Sequence, residues 1–151
     1  MSDSYDLARF VDAQARCYAR VLEELAAGQK TSHWMWFIFP QLKGLGVSAT
    51  AYHFGLAGLE EARAYLAHPL LGARLRECTR ALLALEGRTA TEIFGGTDAL
   101  KLRSCLTLFA HAAGPAPAAA DRLFRAALAQ YYRGEPDPQT LGLLTSSASR
   151  T

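Results

Sequence analysis

Apolar residues recur along this chain at three- and four-residue intervals and almost nowhere at every second position, which is the signature of helices. Leu7, Phe10, Val11, Cys17, Tyr18, Val21, Leu22 and Leu25 form one such stripe. It predicts a long first helix, capped by Asp3 or Ser4 with Asp6 in its first turn, and stopped by a left-handed Gly28. A short helix opened by Ser32 must end before Pro40, because the residue before a proline resists the helical region. Ser48 then caps a helix through Phe54, and another runs from Leu59 to His68. Pro69 suits the first turn of the next helix, over Pro69 to Glu86, with Leu71, Leu75, Cys78, Leu82 and Leu85 on its core face. Gly87 ends it, Thr89 or Thr91 opens a turn reaching Gly95-Gly96, and Thr97 or Asp98 caps a helix to about Ala113 with Leu102, Leu106 and Phe109 inward. Gly114-Pro115-Ala116-Pro117 is a firm stop; Ala118 to Arg133 reads as the last long helix, and Asp137-Pro138 as the start of a final turn through Leu144. The expected architecture is all-α: one compact domain of about six to eight unequal helices over residues 1–145, with a flexible polar tail over 146–151.

Composition narrows the class. A chain of 151 residues, half of them hydrophobic and a fifth charged, is long enough to bury one good core. Its 16 basic residues are interleaved with 14 acidic ones for a net charge of +2, so no basic track favours nucleic acid. Cys17, Cys78 and Cys105 lie far apart in no C-x-x-C pair and read as buried thiols of a reducing compartment. The polar, acidic start and the lack of any apolar run of about 20 residues point to a cytoplasmic protein without a membrane span. No histidine or cysteine cluster has metal-ligand spacing, and no nucleotide-cofactor loop is present, so neither a metal nor a cofactor is expected. His53, His68 and His111 read as structural.

Candidate chemistry concentrates in two places. The stretch Gly28 to Gln41 holds both tryptophans and two of the seven phenylalanines, with Lys30 and His33 at its mouth. A lysine beside a helix start makes an anion site, and the imidazole of His33, read in the first turn, can donate or accept a hydrogen bond. Trp34 and Trp36 point about 200° apart on a helix, so one is expected in the core and the other beside a cleft. Further on, Asp98, Lys101 and Ser104 share one helix stripe opposite Leu102 and Leu106, a set able to orient hydroxyls, activate water or grip a phosphate. Gln14, inside the first stripe, is either at its edge or a buried amide that needs partners.

These residues carry a resemblance. Phe10-x-x-Ala13-Gln14, the run from Gly28 through Gln41, Gly44-Leu45-Gly46-x-Ser48 and Asp98-x-x-Lys101-Leu102-x-Ser104 resemble the bacterial family known as domain of unknown function eighteen-ten. Glu61-Ala62-x-x-Tyr65-Leu66 and His68-Pro69-x-Leu71-Gly72-x-Arg74-Leu75 extend the likeness to roughly residues 6–133. The resemblance implies a mainly helical single domain and no catalytic assignment. A looser likeness of residue types, to the NADAR-type proteins linked to NAD and ADP-ribose metabolism, is an analogy only.

The expected function is therefore a small-ligand pocket, possible for a hydrolase, acting on an anionic nucleotide- or ADP-ribose-like molecule. Lys30 and Asp98 would be its catalytic pair, with Gln14, His33, Trp34, Trp36, Gln41, Lys101 and Ser104 binding the ligand. The alternative is a non-catalytic helical module whose exposed aromatics receive a partner protein. Whether it is an enzyme, and its oligomeric state, are open at this level. One geometric claim separates the readings: the polar ends Lys30, His33 and Gln41 should meet Asp98 and Lys101 in space.

Overall fold

The computed structural model describes the backbone of residues 5–149 and the side chains of residues 5–145. Ten α-helices are present among them, more than the six to eight expected: α1 Ala8–Ala15, α2 Tyr18–Ala27, α3 Met35–Ile38, α4 Ala49–Phe54, α5 Leu59–Ala67, α6 Leu71–Ala84, α7 Ala90–Phe94, α8 Gly96–Ala112, α9 Leu123–Tyr132 and α10 Pro138–Ser149. No sheet forms among the described residues; Leu42 and Leu56 make a single parallel bridge. No described helix is long and apolar enough to cross a membrane.

One extra helix arises where a long stripe breaks. Gln14 lies almost wholly buried and cannot stay unpaired there. Its Nε2 donates to the Phe37 carbonyl at 2.7 Å and to the Tyr65 hydroxyl at 3.1 Å, while Arg74 Nη1 donates to its Oε1 at 3.3 Å. Of the two roles open to Gln14, it is the buried amide. Immediately beyond, Cys17 leaves the helical region with φ −143° and ψ 2°, and the predicted first helix becomes α1 and α2. Asp6 is not in a first turn either: its φ is +54°, α1 begins at Ala8, and Arg9 draws the preceding carbonyls of Tyr5 and Asp6 onto its guanidinium. Asp3 and Ser4 lie outside the described residues.

Several boundaries fall where turn chemistry puts them. Gly28 ends α2 at φ +71°. Ser48 caps α4 by accepting from the Ala51 amide, and Thr89 with Glu92 closes a reciprocal capping box on α7. Ser32 does not cap α3, which starts after Trp34; its hydroxyl goes to Glu24 instead. Neither Thr97 nor Asp98 caps α8, because Gly95, at φ +81°, takes the N-cap position without a side-chain bond. The stretch from Ala118 opens with one 3-10 turn, Ala119–Asp121, before α9. The final turn is a full helix: Asp137 Oδ2 accepts from the Thr140 amide at 3.0 Å and hydroxyl at 2.6 Å, Pro138 occupies the first position, and α10 continues to Ser149. The expected tail starts at residue 146, inside α10, and its residues 150 and 151 lie outside the description.

α8 is the axis of the core. Leu102, Cys105, Leu106, Leu108, Phe109 and Ala110 are all buried, so the helix is enclosed on most of its circumference rather than along one stripe. It packs against α5, α7, α9 and α10. Of its buried hydroxyls, Thr107 Oγ1 donates to the Arg103 carbonyl at 2.8 Å, and the single proton of Ser104 Oγ is shared between the Leu100 carbonyl at 3.2 Å and Asp137 Oδ2 at 3.1 Å. At the other side of the molecule Arg9 Nη2 donates to Glu61 Oε2 at 2.9 Å, Arg9 Nε donates to the His53 carbonyl at 2.9 Å, and Glu61 Oε1 takes the Ala57 amide at 2.8 Å. This buried, multiply bonded pair fastens α1 to the α4–α5 connection.

Candidate functional site

The stretch that follows α2 is held by one carboxylate. Glu24 points inward from α2 and accepts from the amides of Thr31 (2.7 Å) and Ser32 (3.1 Å), from the Ser32 hydroxyl, and from Trp34 Nε1 (2.9 Å). Burial pushes its carboxyl upward, but these four bonds outweigh burial and bring it down to about 2. Lys30 is fixed at the same time, its amide donating to the Ile93 carbonyl at 2.7 Å.

From that anchor the two tryptophans diverge. Trp34 is buried among Phe39 and Phe94, with ring centroids 6.3 Å away in each case. Trp36, two residues on, is only partly covered and stands in the wall of a cleft of about 770 Å³. The connection from Gln41 to Ser48 forms the next wall, pinned by the Leu42–Leu56 bridge through the bonds of the Lys43 amide to the Leu56 carbonyl and of the Leu56 amide to the Gln41 carbonyl, both 2.9 Å. Gly46 lets that connection lie on α4: a Cβ there would stand 2.5 Å from the Ala51 Cβ. The starts of α8 and α10 complete the cleft with Thr97, Leu100, Lys101 and Ser104 on one side and Asp137, Pro138 and Gln139 on the other.

Charge in this region is arranged in a chain. Asp98 Oδ2 lies 2.8 Å from Lys30 Nζ and Asp98 Oδ1 lies 3.3 Å from Lys101 Nζ, so one carboxylate serves two ammonium groups and the trio keeps a net charge of +1. Lys30 is the inner member, 7% exposed and 5.2 Å from the Trp34 ring centre, and it does not line the cleft. Lys101 is the outer member, 20% exposed, with its ammonium 4.8 Å from the Trp36 ring centre. A cation so placed over an indole gains about 0.5–2 kcal/mol. Asp137 is the single carboxylate among the described lining residues. Its Oδ2 takes the Ser104 hydroxyl at 3.1 Å besides the two groups of Thr140, so much of its charge is spent on the start of α10.

Of the residues singled out in the sequence, Trp36, Gln41, Lys101 and Ser104 meet in the cleft, with Lys30 and Asp98 directly behind Lys101. His33 does not join them; it is exposed in a separate shallow hollow beside Arg16 and Arg20. Gln14 and Trp34 are core residues. Thr97, Asp137 and Gln139 were not legible as lining residues, since nothing in their spacing links the start of α10 to that of α8. Glu24 carried a faint signal, an acid one residue from Leu25 on the apolar stripe. No thiol lines the cleft, and burial pushes the Cys78 thiol up to about 12, away from thiolate chemistry.

The comparisons agree with the shape of the chain. The family model described as Protein of unknown function (DUF1810) matches residues 4–144. A solved structure, the conserved hypothetical protein Rv1873 from Mycobacterium tuberculosis, is 53% identical, with a TM-score of 0.89 over 95% of this chain and 99% of that one. No curated protein matches the chain. The chain belongs to the DUF1810 family.

Proposed function

We propose that this member of the family is a small-molecule-binding protein whose cleft takes an anionic, nucleotide-like ligand. The observation that carries the reading is Lys101: a half-buried ammonium backed by Asp98 and Lys30, resting on Trp36, in a cleft of about 770 Å³. A placed cation in a mainly apolar concavity is the make-up of small-molecule sites, and the volume lies within their usual range of roughly 300–1,000 Å³. Apolar walls from Leu45, Ala51, Leu100 and Pro138 suit the flat part of such a ligand, and Ser48, Thr97 and Gln139 suit its hydroxyls.

Hydrolysis has less support than binding. Lys30 and Asp98, the pair that would have done the chemistry, neutralise each other behind the wall, so their support is for positioning Lys101. A reaction in the cleft would fall to Asp137, whose Oδ1 is not engaged by the bonds that hold Oδ2. A second reading, a docking face for a partner protein, is favoured by Val47 and Leu100, which stand exposed on the rim.

A thermal-shift series with AMP, ADP-ribose and ribose 5-phosphate, each also assayed for turnover, tests these readings. Ligand at a hundredfold excess over its Kd stabilises by about 2.7 kcal/mol. The expected result is a shift that Lys101→Met removes. No shift with any of the three, together with a copurifying partner or a concentration-dependent dimer lost in Leu100→Asp, would replace the small-molecule reading with the docking one.

A further inference from the structure

Gln41 stands in the wall of the cleft with its side-chain amide open to solvent. Its backbone is fixed by the Leu42–Leu56 bridge, yet its side-chain amide makes no hydrogen bond with any other described residue. The contrast with Gln14 is direct: that amide is saturated by Phe37, Tyr65 and Arg74. Gln41 also lines the small recess behind the cleft, together with Trp36 and Lys101, so the three side chains share one wall. The recess itself, about 10 Å³, is too small for a ligand group, so a ligand that meets the amide does so from the cleft.

We infer that Gln41 is a specificity-determining residue, which reads the edge of a purine ring lying in the cleft and favours adenine. The inference rests on the nucleotide-like reading above and adds to it the identity of the base. A glutamine amide offers one acceptor and two donors in a plane. Adenine presents a matching amino donor and ring-nitrogen acceptor side by side, and glutamine pairs with both at once. Read on the edge that carries N6 and N7, a hypoxanthine ring presents two acceptors, O6 and N7, and leaves the glutamine oxygen unpaired, so the discrimination belongs to a base held by that edge. A purine placed this way lies beside the indole of Trp36, and its phosphate reaches for Lys101. Gly46 brings the loop down on α4 beside Gln41, since a Cβ there would meet the Ala51 Cβ at 2.5 Å.

Titration calorimetry at fixed ionic strength with AMP, IMP and ribose 5-phosphate tests the inference. The expected order is AMP tighter than IMP by about tenfold, the size that one lost bidentate base contact gives, with ribose 5-phosphate weakest. Gln41→Leu should bring AMP down to the level of IMP while leaving ribose 5-phosphate unchanged, and the near-isosteric Gln41→Glu, which has no donor at neutral pH and adds a charge that repels every phosphate, should weaken AMP more than it weakens ribose 5-phosphate. Melting curves of both variants establish that they are folded, and agreement between the two guards against a packing defect in either one. Equal binding of all three compounds, or an unchanged AMP affinity in both variants, overturns the role of Gln41 and leaves the anion-binding cleft standing. If none of the three binds the wild-type protein, the nucleotide-like reading and the role of Gln41 fall together.

Discussion

At the scale of single residues, the same side-chain type does different work according to what surrounds it. Lys30 and Lys101 share Asp98, yet the first is covered and the second faces the cleft. Lys30→Met should lower stability by about 2 kcal/mol, because it removes one side of a largely buried pair, and should weaken anion affinity less than loss of Lys101 does, since Asp98 is left to neutralise Lys101 alone. Lys101→Met should do the opposite, costing under about 1 kcal/mol of stability while abolishing the response to anionic ligands. Urea titrations paired with thermal shifts measure both, and a similar profile for the two variants would refute the distinction. Glu24 gives a pH prediction. Its folded carboxyl sits near 2, below the 4.5 of an unperturbed glutamate, so its contribution is complete above pH 4.5 and is lost as pH falls toward 2. That depression corresponds to roughly 3 kcal/mol. Glu24→Gln should therefore be less stable than wild type by about 2 kcal/mol at pH 7, and the gap should narrow steadily between pH 4.5 and 2 in urea melts. A gap that stays constant across that window would mean the carboxylate is not what holds the Thr31–Trp34 segment.

At the scale of elements, most helices were legible because their ends are written in local chemistry. Gly28, Ser48, Thr89 with Glu92 and Pro138 each place a terminus by a conformational or capping preference that needs no knowledge of the rest of the chain. What escaped was decided at a distance. The split between α1 and α2 accompanies the burial of Gln14, whose partners lie 23 to 60 positions away. Ser32 was read as a cap because its type fits one; Glu24 claimed it instead. In the same way Trp36, Lys101 and Ser104 were recognisable as chemistry, while Asp137 and Gln139 joined them only through the docking of α10 on α8. One close approach tests the packing between α5 and α6. A Cβ on Gly72 would fall 2.1 Å from the Leu66 carbonyl oxygen, a backbone atom that has no room to swing aside. Gly72→Ala should cost about 1–3 kcal/mol in urea unfolding, despite alanine's higher helix propensity. A neutral result would show that α5 and α6 yield at this contact.

At the scale of the molecule, a buried α8 wrapped by four other helices leaves little that could melt on its own. The Arg9–Glu61 pair ties the first helix to the α4–α5 connection, and α10 closes on α8 through Asp137 and Ser104. We expect the described residues, 5–145, to behave as one cooperative unit. Heating followed by far-ultraviolet circular dichroism should trace one transition, with calorimetric and van't Hoff enthalpies equal. Two resolved transitions, with α9 and α10 released early, would divide the domain.

The divergence of the tryptophans has a use beyond the architecture. Trp34 is sealed among aromatic rings, while Trp36 stands at the cleft under a lysine that any bound anion would attract. The chain's two tryptophans thus have different assignments, one expected to report solvent entry on unfolding and the other occupancy. In Trp36→Phe, emission should still red-shift on denaturation but should cease to be quenched by ligand. A titration would then need no label, and the protein would announce its own ligand by the light it loses.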